Sequence, residues 1–185
     1  MTNLKQLLSQ DLDRFLSHPE AYGYTPLESG GFNALWVLEK EGRITKIMTM
    51  EDGGHVVSKL AHLTGTHRPA CLPEIFDYAE HENICAVEME KLTPYEMDEY
   101  TMDTLGETYD NQSTFFGASL IQTLSVLRAH AGRFLGLDLN TDSLMLRDKT
   151  YVLIDMFDRI NPHHLPALNN ALISASDDIK KRNIQ

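Results

Sequence analysis

The sequence predicts an α+β protein: a small antiparallel-sheet lobe carrying one helix, followed by a reduced, mainly helical second lobe. Three observations predict it. Five short β-prone runs lie between residues 25 and 89, separated by turn residues, and one helix-periodic run interrupts them after the third. Apolar residues in the second half recur mainly at helical spacing. Between those helical runs stands one hairpin, LML and YVLI joined by RDKT. Strands gathered first and helices after them suit an α+β arrangement, not a doubly wound sheet.

Taken in order, Leu4, Leu7, Leu8, Leu12, Phe15 and Leu16 mark a first helix, with Asn3 as a candidate cap and Pro19 beyond its end. Strands are expected at Thr25–Glu28, Ala34–Glu39 and Ile44–Met48, with turns at Ser29–Asn33 and Lys40–Arg43. Glu51, Asp52, Gly53 and Gly54 break the chain, and His55–Leu63 fits a helix with Val56, Val57, Leu60 and Leu63 inward. A connector at Pro69–Pro73 leads to a hairpin, Glu74–Tyr78 and Ile84–Met89, turning through AEHEN. Thr93–Ser113 carries Glu96, Asp98, Glu99, Asp103, Glu107 and Asp110, and reads as a solvated linker with a helical turn or two. Thr114–His130 is a helix with Phe115, Phe116, Ala118, Leu120, Ile121, Leu124 and Leu127 inward. Pro162–Arg182 forms a terminal helix with Leu168, Leu172, Ile173 and Ile179 inward. The expected organisation is a single minimal unit, residues 1–92 forming the sheet lobe with its N-terminal helix and residues 93–185 the second lobe.

The 185 residues are enough for one real core. With 16 Lys and Arg against 27 Asp and Glu, the net charge is −11. An acidic chain without a basic cluster is poorly suited to a nucleic-acid backbone and attracts a basic protein surface instead. Cys71 and Cys85 sit in or near apolar runs, as two reduced thiols of a cytoplasmic protein would. No apolar run approaches the roughly 18 residues of a membrane span. The N-terminal segment has acids within its amphipathic pattern and lacks the apolar core of a secretory signal.

The chemistry concentrates in the late hairpin. Asp138 precedes its first strand and Asp155 ends its second, so pairing through RDKT brings both to one end. Two carboxylates held together repel, and a cation relieves the repulsion. Ser143, five residues after Asp138, adds an oxygen, and a metal-bound phosphate suits such a set. In the first half, Gly30 and Gly31 allow close backbone approach to a ligand, and Lys46 shares a strand face with Ile44 and Met48. Each residue also has a plainer reading: the aspartates as turn or helix caps, Lys46 snorkelling from an edge strand, the glycines as an ordinary hairpin turn.

A glycine turn, a strand lysine and two distant aspartates follow the order of parts used for phosphoryl transfer in protein kinases. At these residues the sequence resembles the protein-kinase-like fold. SGGFNALWV, ITKIMTMEDGGHVVSKLAHL, LPEIFDY and AVEMEKL look like successive segments of the early serine/threonine kinases of short-tailed lytic bacteriophages. DLNTDS resembles the catalytic loop of small type III secreted effector kinases of enteric pathogens. The likeness spans roughly residues 27–158.

It implies ATP and Mg²⁺ as cofactors and a protein substrate. Gly30 and Gly31 would cover the phosphates, Lys46 would contact them, and Glu88, Met89 and Glu90 would line the adenine through backbone groups. Asp138 would orient or deprotonate the attacking hydroxyl, Ser143 takes the place of a metal-binding asparagine, and Asp155 would hold Mg²⁺. Departures from the pattern are plain. The helix after Gly54 offers Ser58, Lys59 and His62 but no acid for Lys46, Gly136 replaces a histidine, and Met156 and Phe157 follow Asp155 where Phe and Gly are usual. These departures imply a second possibility, a catalytically dead pseudokinase that binds and inhibits or redirects a host protein. On either view, restoring asparagine at Ser143 is expected to raise Mg²⁺-ATP affinity if the site works.

Overall fold

The computed structural model describes residues 3–10, 12–27, 35–111 and 116–182. The protein is mixed α+β, with six α-helices and eight strands among those residues. The first apolar run forms two short helices, α1 (Leu4–Gln10) and α2 (Leu12–Ser17). Asn3 caps α1 as expected, its Oδ1 accepting the Gln6 N–H at 2.9 Å. Pro19 begins a 3₁₀ turn that leads to β1 (Thr25–Pro26). Then come β2 (Trp36–Lys40), β3 (Arg43–Thr49), α3 (His55–Thr64), β4 (Ile75–His81) and β5 (Ile84–Glu90). The five strands form one antiparallel sheet in the order β1-β2-β3-β5-β4. The expected glycine turn at 29–33 lies outside the described residues. The AEHEN turn is tighter than expected, because β4 runs on to His81 and leaves Glu82, at φ 52°, and Asn83 to reverse the chain.

Alternation along β3 gives the sheet its two faces. Ile47 packs with Leu4, Leu7, Leu8 and Phe15, so α1 and α2 cover one face. Met48 packs with Met50, Cys85, Val87 and Met89 on the other, where α3 lies against β4, β5 and the terminal helix. Lys46 belongs to this second face, paired with Val37 on one side and Val87 on the other. It therefore stands on a central strand, and the edge-strand explanation for it does not hold.

The second half departs most from expectation at Thr93–Ser113. There the structure has a short strand, β6 (Thr93–Pro94), and a 13-residue helix, α4 (Glu99–Asn111). Its buried face is Thr101, Thr104, Leu105, Thr108 and Tyr109. Threonines hide this periodicity from a reading by apolar residues. Thr104 and Thr108 satisfy their hydroxyls by donating to the carbonyls of Tyr100 and Thr104, four residues back. Asp98 caps the helix, accepting the Thr101 N–H at 2.7 Å.

Helix α5 (Ala118–Ala131) starts after Gly117, later than expected, with Phe116 buried just outside it and Ala118 exposed. Strands β7 (Leu144–Arg147) and β8 (Thr150–Leu153) form the anticipated hairpin and pair with β6 in a second, three-stranded sheet. The chain closes with α6 (Leu165–Arg182), which buries Leu168, Leu172, Ala175, Ser176 and Ile179. Ile173, expected inward, is exposed, because the small residues at 175 and 176 carry the contact face instead.

Candidate functional site

The hairpin's two ends are held by main-chain bonds. Asp138 N–H donates to the Met156 carbonyl at 3.0 Å, and Asp158 N–H donates to the Gly136 carbonyl at 2.9 Å. Leu137 bridges Phe157 between them. Asp138 and Asp155 thus lie on adjoining segments at one end of the hairpin. Asp138 is exposed. Asp155 is buried, with its backbone at φ 24°, an uncommon region for a side chain with a Cβ.

Lys46 meets Asp155 across the molecule. Its Nζ donates to Asp155 Oδ2 in a buried ion pair, with 8% of Lys46 and 5% of Asp155 exposed. Asp155 Oδ1 is also buried and has no hydrogen-bond partner among the described residues. The turn between β3 and α3 closes over this pair. A Cβ at Gly54 would stand 2.7 Å from Asp155 Oδ1, and one at Gly53 would stand 2.2 Å from the Asp158 carbonyl oxygen. The Gly53-Gly54 pair, read from sequence only as a break, is what lets the sheet approach the Asp155 segment.

Helix α3 sends its polar groups elsewhere. Lys59 pairs with Glu80 at 2.5 Å and donates to Asn169 at 2.8 Å. His55 donates from Nδ1 to the Asp52 carbonyl, and burial pushes its pKa down, so it is neutral at pH 7. Ser58 is buried and His62 is exposed, near the Tyr78 ring.

Ser143 is fully buried. Its hydroxyl lies 3.1 Å from Asn140 Oδ1 and 3.3 Å from the carbonyl oxygens of both Asp138 and Asp155. It accepts the Asn140 N–H at 3.0 Å. Both cysteines are buried free thiols, and burial pushes Cys71 up and Cys85 up to about 12. Among the described residues no group of three or more His, Cys, Asp or Glu side chains is arranged to hold a metal ion.

The three β5 residues divide by face. Met89 is buried on the Lys46 side, opposite Ile44. Glu88 points to the α1 side and pairs with Arg43 at 2.6 Å. It borders a cavity of about 460 Å³ lined also by Tyr22, Tyr24, Phe76 and Asp77, so that cavity opens on the face away from Lys46. Glu90 is engaged by Arg147 of β7, through Nε at 2.8 Å and through Nη2, and accepts the Glu74 N–H at 2.7 Å. Arg147 also donates to the carbonyls of Ala70 and Leu72 at 2.7 and 3.0 Å. This latch ties the end of the first sheet to the second. Its sequence signal is a charged residue closing the apolar strand LMLR. Gly30 and Gly31 lie outside the described residues.

Burial alone would raise the Glu90 carboxyl, but the Arg147 hydrogen bonds, the Glu74 N–H and the charges of Arg147 and Arg68 together hold it below the ordinary carboxylate value. A carboxyl depressed in the folded state contributes stability at neutral pH that is lost as pH falls through its folded value. Urea titrations of wild type and Glu90→Gln should therefore differ at pH 7 and converge as pH falls through the ordinary carboxylate range and below it. A gap that stays constant over that range would mean that the latch does not depend on the carboxylate's charge.

No protein-family model matches the chain, and no curated protein matches it either.

Proposed function

We propose that the protein is a miniature kinase-like phosphotransferase that binds ATP with Mg²⁺ and acts on hydroxyl groups of a protein partner with a basic surface. The observation that carries this reading is the buried Lys46–Asp155 pair, formed between a central sheet strand and the end of a hairpin whose preceding loop presents Asp138. The sheet order β1-β2-β3-β5-β4, with α3 between β3 and β4, agrees with a kinase-like sheet lobe.

In this reading Lys46 turns from Asp155 to the nucleotide phosphates, and the β5 main chain from Glu88 to Glu90 borders the base. Exposed Asp138 accepts the proton of the attacking hydroxyl. Asp155 Oδ1, buried without a donor, is a fitting ligand oxygen for a divalent cation. Bound Mg²⁺ would neutralise phosphate charge. Because the ion pair is enclosed, nucleotide entry requires the β3–α3 turn to move off Asp155.

A second reading, a pseudokinase that binds and redirects a host protein in the cytoplasm, is favoured by two observations. Helix α3 supplies no acid to Lys46, and the Ser143 hydroxyl is engaged within the protein. Thermal shift with ATP, Mg²⁺ and both together tests nucleotide binding. At a hundredfold excess over Kd, binding stabilises by about 2.7 kcal/mol, a rise of about 5–10 °C for a chain of this size. The rise should need both components and should vanish in Lys46→Met, measured against that variant's own baseline. With labelled ATP and a basic protein substrate, wild type should transfer label and Asp138→Ala should not. Binding without transfer selects the pseudokinase, and no binding overturns the nucleotide site itself.

A further inference from the structure

We infer that Ser143 is a positioning residue: its hydroxyl clasps the Asp138 segment to the Asp155 segment and sets the spacing of the two carboxylates, and it is not a ligand to the cation. This rests on the nucleotide-site reading above for its functional meaning, but the clasp itself rests on geometry alone.

A hydroxyl has one proton and two lone pairs. One lone pair of Ser143 Oγ takes the Asn140 N–H at 3.0 Å. The acceptors around its proton are Asn140 Oδ1 and the carbonyl oxygens of Asp138 and Asp155, all within 3.3 Å. The Ser143 main chain is engaged in the same way. Its N–H donates to the Asn140 carbonyl and its carbonyl accepts the Ile154 N–H, each at 3.0 Å. Asn140 Oδ1 accepts the Asp142 N–H at 2.9 Å as well, which folds residues 140–143 into a closed turn around the serine.

The side chain is 0% exposed and surrounded by oxygen acceptors of the protein itself. Oγ is enclosed by the turn of residues 140–143 and its proton is held among those acceptors, so a cation could reach it only by opening that turn and taking the proton's place. Serine also fits here by size. Asparagine would add a larger amide to a fully buried position and overpack it. The substitution that the kinase pattern suggests as a repair should therefore loosen the site.

The test uses the full chain as wild type, Ser143→Ala, Ser143→Asn and Ser143→Cys. Hydrogen exchange without ligand reads the clasp directly, since the Asn140 amide donates to Ser143 Oγ. In Ser143→Ala that amide should exchange at least about tenfold faster, and the carbonyl ¹³C resonances of Asp138 and Asp155 should both move. Ser143→Asn should lower the Mg²⁺-ATP affinity of the wild type. Ser143→Cys should show no preference for Cd²⁺ over Mg²⁺ in ATP binding beyond that of wild type.

Unchanged Asn140 exchange and unmoved carbonyl resonances in Ser143→Ala would overturn the clasp. A tenfold gain in Cd²⁺ preference in Ser143→Cys, or a gain in Mg²⁺-ATP affinity in Ser143→Asn, would put the side chain on the cation and overturn it as well. If wild type binds no ATP, the nucleotide reading fails by itself and the exchange and resonance measurements still decide the clasp.

Discussion

Lys46→Met is expected to lower the unfolding free energy by about 3–5 kcal/mol, the cost of leaving one member of a buried ion pair alone. Asp155 stays behind at 5% exposure, with Oδ1 already lacking a donor, so the variant would bury a carboxylate with neither oxygen paired to a cation. Replacing both groups, as Lys46→Met with Asp155→Leu, removes the buried charge as well as its partner. Much of the loss should then return, because apolar replacements for a buried pair are often neutral or better. Urea denaturation of the two single variants and the double variant measures the coupling directly. A Lys46→Met cost below about 1 kcal/mol, the range of exposed pairs, would show that the pair is open to water in solution. On the proposed reading, that result would also remove the need for the β3–α3 turn to move before a nucleotide enters.

Gly53→Ala should cost at least about 3 kcal/mol, the upper end of overpacking. The added Cβ would meet the carbonyl oxygens of Asp158 at 2.2 Å and Phe157 at 2.3 Å, and both are main chain. No side-chain rotation relieves such a contact, so the turn and the Asp155 segment must separate. Separation also moves Lys46 and Asp155 apart, and on the proposed reading the Mg²⁺-ATP thermal shift should shrink with stability. Gly42→Ala is the control. Gly42 sits at φ 74° with nothing within 4 Å of its added Cβ, so it should cost only the left-handed strain of about 1–2 kcal/mol and leave the proposed nucleotide binding intact. Equal costs for the two variants would mean that the close approach at Gly53 relaxes freely. Gly54→Ala should fall between them, because its nearest contact is the Asp155 carboxylate at 2.7 Å.

Much of the fold was legible because its elements are local. β2, β3, α3, β4, β5 and the β7–β8 hairpin appear where alternation, helical spacing and turn residues put them, within a few residues. Helix α4 was not legible by the same means, since its buried face is built from threonines whose hydroxyls are satisfied by their own helix. Asp98 was the missed signal, an N-cap standing before a run without Gly or Pro until Gly106. Ile173 was misassigned for a related reason: the packed face of α6 uses Ala175 and Ser176, which carry little hydrophobic weight in a sequence pattern.

For the candidate site, the sequence by itself determined the inventory and much of the placement. Lys46 stands on an otherwise apolar strand face, and Asp138 and Asp155 emerge at one end of a hairpin, because strand alternation and hairpin pairing are set by neighbours along the chain. Only the tertiary structure decided what those groups do to one another. It joined Lys46 to Asp155, turned Ser143 inward between two carbonyls, gave Glu90 to Arg147, and made Gly53 and Gly54 the contact that permits the approach. The reason is physical. Partners separated by up to 109 residues meet through packing of the sheet and α3 against the hairpin, and no local periodicity encodes which donor will face which acceptor.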